Sequence, residues 1–406
     1  MNVFTMQART LAGAVAAWLT LVLAGTTLAG DAEGQAVLPP LKTITTLGST
    51  VPANGDVNPY GVAQIKRTTG NLRAGHILVS NFNNSGNFQG EGTTIVDVAP
   101  DGSGVSLFAA LNPAMLHGSC PGGVGLTTAL VVLREGWVIV GSLPTSTQGT
   151  VFTGSGCLIV LDSLGNPVET FYGSLINGPW DMTALDGDRD AKLFVTNVLN
   201  GTVEAAGAVV HGGTVTRLDL KLPAAGNPVL ESITTIGSGF PERTDPAALV
   251  IGPTGVGLRA SCAGDPDDCA HHDDGDRERD DGDHDRDDQD SSLLYVADTV
   301  SNRVAVIDRA LTRTTSAGIG RTLSSGGSLN GPLGLVVTTH GTVLTVNSGD
   351  GFITEISPHG PQVAKFQLDN TGSPPGAGAL FGLAFDPAAG VYFVDDASNT
   401  LNLLHH

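Results

Sequence analysis

The chain has 406 residues, among them 55 glycines and 22 prolines, with 5% aromatic and 15% charged side chains. This composition, with no sustained apolar pattern at helical spacing beyond about the first thirty residues, excludes a helical bundle and predicts an all-β fold rich in turns. The formal charge of −20 excludes nucleic acid and anionic membrane surfaces as partners and makes cations the more natural ones.

At the N-terminus, Arg9 precedes an apolar run from Leu11 to Ala24, and Thr27-Leu28-Ala29 has the small-x-small pattern of a cleavage site. The run is shorter than the roughly 20 residues of a membrane-spanning helix. Residues 1–29 therefore read as a secretory signal peptide and 30–40 as a linker. The expected destination is secreted or periplasmic, with no membrane span once the signal is removed. In that oxidising setting Cys120, Cys157, Cys262 and Cys269 are expected in up to two disulfides, with three pairings open to them.

From Leu41 onward one motif recurs six times: Pro, any residue, then Gly or Asp, followed by alternating apolar positions. The copies are NPYGVAQI from Asn58, CPGGVGLT from Cys120, GPWDMTAL from Gly178, GPTGVGLR from Gly252, GPLGLVVT from Gly331 and, with Leu380 in place of Pro, ALFGLAFD from Ala379. Each is followed by a second apolar strand (HILVSN, WVIVGS, KLFVTN, LLYVAD, TVLTVN, VYFVDD) and a third, and in five units by a fourth. Six such units predict a six-bladed β-propeller. The sixth unit lacks its last strand. The segment LKTITTLG from Leu41 resembles LESITTIG of the third unit and is expected to complete the last blade, closing the ring and making 41–406 a single domain.

These units resemble NHL repeats. The resemblance is carried best by Leu294-Tyr295-Val296-Ala297-Asp298 with the following Asn302, Arg303 and Val304. It implies the propeller fold from about Leu41 to the end of the chain. It implies no particular activity, because propellers host many chemistries.

In such a blade the loops between second and third strands share a face with the links from blade to blade. Those loops are long in the first three units, at 81–92, 142–156 and 198–212, and short in the last three, which predicts a wall over half of that face. Loops on a rigid ring are where binding resides, so this is the expected ligand surface. Its candidate residues are Tyr60 and Trp180 in the opening motif, Asn81, Asn83 and Asn197 after second strands, and His117 and His211 in loops. Cys120 and Cys157 fall on this face in one blade, which makes a bridge between them geometrically reasonable; Cys262 and Cys269 would form a local pair. The expected ligand is a small molecule, glycan or protein, bound by a monomer.

An insertion at 260–292 separates the first and second strands of the fourth unit. From Asp265 to Asp290 it carries 14 acidic and 3 basic side chains, a net −11. Asp273, Asp274 and Asp276 suit Ca²⁺, and His271, His272 and His284 suit Zn²⁺, so weak cation binding is expected there. A second metal site is conceivable at the ring centre, where Asp298, Asn347 and Asp395 follow second strands in different blades. Asn and Asp are also favoured at strand ends for purely conformational reasons.

No GxSxG, HExxH, phosphate-binding glycine loop or CxxC is present. The sequence thus predicts a non-catalytic exported binding or scaffold protein. Its alternative is a Ca²⁺- or Zn²⁺-dependent hydrolase or lyase resembling the propeller lactonases and amidating lyases.

Overall fold

The computed structural model describes residues 34–246, 248–260 and 290–406. The expected signal peptide, Cys262, Cys269, and the insertion's His271, His272, Asp273, Asp274, Asp276 and His284 lie outside the described residues. Within the unit Glu33–His406 the chain forms six antiparallel blades and one small two-stranded hairpin; the strands of the first five blades run in sequence order from the inside outward, and the sixth takes its outer strand from the start of the unit. The fold is an all-β, six-bladed propeller.

The innermost strands are Val57–Gln64, Leu126–Val132, Pro179–Asp186, Pro253–Arg259, Pro332–Val337 and Leu380–Asp386. Second strands such as Ile77–Asn83 and Val343–Asn347 are buried along their whole length. They read as continuous apolar runs because both faces of a blade pack against neighbouring blades. Each inner strand carries a register shift near its start, as between Pro332 and Leu335 or Leu380 and Leu383. That bulge frees one residue in the first blade, three in the second and two in each of the others from the ladder at the ring's axis.

The bulge explains the repeat. The third motif position is Gly in four blades because a Cβ there would meet the backbone of the next blade. At Gly334 it would lie 1.9 Å from the Phe381 carbonyl oxygen, at Gly382 2.1 Å from that of Tyr60, and at Gly255 2.1 Å from that of Leu333. The second copy corrects the sequence reading. Leu126 pairs with Ser142 as Pro59 pairs with Asn81, so the blade opens at Leu126-Thr127-Thr128, and the Pro121 motif belongs to the preceding link.

Closure follows the expected route: Thr43–Ser49 pairs with Thr400–His405 as the outer strand of the sixth blade. Residues 34–40, expected to be a linker, instead lie against the fifth blade. The buried Glu355 carboxylate accepts hydrogen bonds from the Val37 and Leu38 backbone amides at 2.8 and 2.9 Å and from the Thr342 hydroxyl at 2.7 Å. Leu38 and Leu41 are buried beside it.

Candidate functional site

The long second-to-third loops of the first three blades stand on one face, and two additions change what they enclose. The outer strand of the third blade, Val229–Asp245, runs past its sheet and turns back through Leu249–Ile251. This hairpin lies over the ring's mouth, where Trp180 Nε1 donates to the Val250 carbonyl at 3.0 Å. The loop of the second blade forms its own small hairpin, Thr145–Ser146 with Val151–Phe152, and Gly149 N donates to Glu91 of the first blade at 3.1 Å.

Beneath them the axis is closed by apolar side chains. Tyr60 stacks on Phe381 at 3.9 Å and on Phe82 at 4.5 Å between ring centroids, and Trp180 lies 6.4 Å away. All four are buried, with Leu333, Ala248 and Val250 among them. Tyr60 and Trp180, expected to face a ligand, are therefore part of a plug. The central metal site is corrected for the same reason, since aromatic rings hold the place where ligands from different blades would meet.

Asp298, Asn347 and Asp395 stay within their own blades. Asp298 pairs with Arg303 at 2.8 Å, Asn347 donates to the Ser328 carbonyl at 2.8 Å, and Asp395 accepts from Ser398 N at 3.3 Å. Asn81 and Asn197 are fully buried, Asn81 Nδ2 donating to Thr50 O in the link from the closing strand at 2.9 Å and Asn197 Nδ2 to Thr216 Oγ1 of its own blade at 3.4 Å. His117 and His211 are exposed and line no described cavity. Among the described residues no three His, Cys, Asp or Glu side chains form a metal-holding group.

Beside the plug, on the same face, lies a cavity of about 460 Å³. It gathers Asn58, Asn83, Gln89, Gln148, Pro246 and Asp396, which come from the loops of blades one, two and six and from the hairpin of blade three. Asn58 adopts φ of +62°, a left-handed conformation that is strained for a side-chain-bearing residue and recurs at functional sites. Its Oδ1 and that of Asn83 are buried without a hydrogen-bond partner. Asn83 Nδ2 is used internally, on Asn87 Oδ1 at 2.7 Å.

Asp396 gives the cavity its chemistry. Burial, reinforced by the charge of Asp395 beside it, pushes its carboxyl up to about 7. Burial also raises Asp395, with Asp369 adding to it. The Tyr60 phenol is held well above its usual range by burial and then by Asp396, against the smaller opposing effect of the Asn58 side chain, so it stays protonated. A carboxyl that titrates near neutrality in a polar cavity can take and return a proton. The two orphan amide oxygens and this carboxylate are hard donors that fit Ca²⁺; no imidazole or thiol lines the cavity to suit Zn²⁺.

Of the expected ligand-face residues, only Asn83 lines this cavity. Asn58 and Asp396 join it from outside the sequence candidates. Their signals were present: Asn58 stands where three other copies have Gly, and Val394-Asp395-Asp396 is the one second-strand ending with two acidic residues.

On the same face Cys120 and Cys157 form a disulfide, closing a separation of 37 residues across the second blade.

No protein-family model and no curated protein matches the chain. Solved structures match its fold. A gluconolactonase from Xanthomonas campestris is 14% identical over 92% of this chain and 96% of its own, with a TM-score of 0.49. The calcium-binding protein regucalcin from Agrobacterium tumefaciens is 12% identical over 88% and 93%, with a TM-score of 0.48. Virginiamycin B lyase from Staphylococcus aureus is 11% identical over 90% and 99%, with a TM-score of 0.46. The solved propellers similar in fold include a lactonase and lyases, and the expectation of a non-catalytic binding or scaffold protein is corrected to that extent. Which chemistry this chain performs must rest on its own residues.

Proposed function

We propose that the protein is a hydrolase of small cyclic esters, acting in the cavity on the long-loop face. The observation that supports this reading is the Asp396 carboxyl, brought to about 7 by burial and by Asp395 in a cavity whose other polar side chains are Asn and Gln amides. Ionised, it draws a proton from a water molecule as that water attacks the ester carbonyl; protonated, it returns the proton to the departing alkoxide. Its pKa near neutrality serves both steps. Buried Tyr60 does not touch substrate and keeps a protonated phenol next to Asp396. The Gln148 side chain lines the cavity and can donate to the substrate carbonyl oxygen.

A Ca²⁺ ion would be held by Asn58 Oδ1 and Asn83 Oδ1, leaving Asp396 to carry the proton, and would polarise the ester carbonyl. Two amide oxygens make a weak site by charge count. Export to an extracellular or periplasmic compartment belongs to the same proposal, supported by the Cys120–Cys157 disulfide.

The test is proton release from a panel of five- and six-membered lactones, with Ca²⁺ and with chelator. The wild type is expected to turn over members of the panel, and Asp396→Asn to lose about 10²–10⁴-fold in kcat without a fall in melting temperature. No turnover of any lactone, or full activity in Asp396→Asn, would remove the proposal.

A further inference from the structure

Behind the plug the ring's axis opens toward the opposite face as a well of about 510 Å³. Each blade contributes one apolar wall residue at its bulge: Val62, Leu130, Met182, Val256, Leu335 and Leu383. A volume of this size with a mainly apolar lining is that of a small-molecule site.

Its inner end departs from the repeat. Four blades have Gly at the third motif position, where a side chain would strike the next blade, but the second and third blades have Thr128 and Asp181. Both residues are buried and both line the well. Asp181 accepts from Met182 N at 2.8 Å and Val256 N at 3.1 Å, which fixes its carboxyl at the junction of blades three and four. Thr128 Oγ1 is buried without any hydrogen-bond partner. An unpartnered buried hydroxyl costs about 1–3 kcal/mol; a ligand acceptor at this point would relieve it.

At the outer end the charged groups already have partners. Arg134 lies 3.7 Å from Asp186, and Lys66 bonds to Gln64, whose amide donates to Asp386 at 2.5 Å. The charges at this end offset one another: against the upward push of burial, the Gln64 hydrogen bond and the nearby Lys66 charge hold the Asp386 carboxyl below its usual range.

We infer that this well is a second binding site, separate from the long-loop cavity. Its ligand is an uncharged, largely apolar small molecule whose one carbonyl-type acceptor points inward to the Thr128 hydroxyl. The apolar body is matched by the six wall residues and the acceptor by the unpartnered Thr128 hydroxyl.

The probe is 6-propionyl-2-(dimethylamino)naphthalene, a neutral aromatic ketone whose emission shifts to the blue in apolar surroundings. The intact protein is expected to bind one probe per chain with blue-shifted emission. Ala184→Phe, placed in the wall, should abolish binding. Thr128→Val, which keeps the shape and removes the donor, should weaken it about tenfold. Asp396→Asn, in the other cavity, should leave it unchanged. Absence of saturable one-to-one binding, wild-type binding by Thr128→Val, or equal weakening by Asp396→Asn would overturn the inference. Thr128→Val still decides the matter if Ala184→Phe does not fold.

Discussion

At the scale of single residues, two kinds of departure from the repeat matter: a glycine that cannot be replaced and a carboxyl that should not be buried. Gly382 is the first kind. A methyl group there would lie 2.1 Å from the Tyr60 carbonyl, so Gly382→Ala must push the first and sixth blades apart. A loss of about 1–3 kcal/mol is expected in chemical denaturation, whereas an exposed glycine with open space around it and no positive φ, such as Gly104, should tolerate alanine better. Asp396 is the second kind, together with Glu242. Glu242 is fully buried, accepts only from Asn200 N at 3.0 Å, and is pushed by burial up to about 8. These groups were hard to see in the sequence. Asp396 reads as one more acidic strand ending, and only the fold shows that Asp395 and Asp369 crowd the same region.

At the scale of elements, the strands and their order were legible because a blade's middle strands are apolar on both faces and its turns carry glycine at fixed spacing. The closing strand was legible through its likeness to an outer strand elsewhere in the chain. The second blade was misplaced by five residues, since Pro121-Gly122-Gly123 mimics the motif while the true opening, Leu126-Thr127-Thr128, has neither Pro nor Gly. The hairpin through Leu249–Ile251 left no periodic signal, being short and held by Trp180 and the plug. Two elements yield direct tests. Replacing both Cys120 and Cys157 by Ser should cost about 3–4 kcal/mol by loop-closure entropy, read as a lower denaturation midpoint. Deleting Thr43–Ser49 should expose the Thr400–His405 edge, and concentration-dependent association by light scattering is the expected outcome.

At the scale of the whole molecule, the raised acids set how stability depends on pH. Asp181, Glu242 and Asp396 lie at about 8, 8 and 7 in the fold, against ordinary values near 4 in the unfolded chain. Between those limits the native state holds protons that the unfolded state has lost. Stability therefore falls as pH rises from about 4 to about 8 and levels off above that. The net charge of −20 acts in the same direction through self-repulsion. Melting curves should show a higher midpoint at pH 5 than at pH 8.5, and Glu242→Gln should remove part of the difference by raising the midpoint at pH 8.5.

The ring also keeps its two cavities apart. The aromatic plug separates the polar, acid-bearing cavity on the long-loop face from the apolar well, so the proposed hydrolysis and the proposed second binding site do not share a surface. The central claim is that Asp396 transfers the proton in the polar cavity. The most direct measurement is the pH dependence of kcat/KM for a lactone substrate in the wild type beside Asp396→Asn. The account predicts a limb with an apparent pKa of about 7 in the wild type that disappears in the variant. A flat wild-type profile, or the same limb persisting in Asp396→Asn, would contradict it.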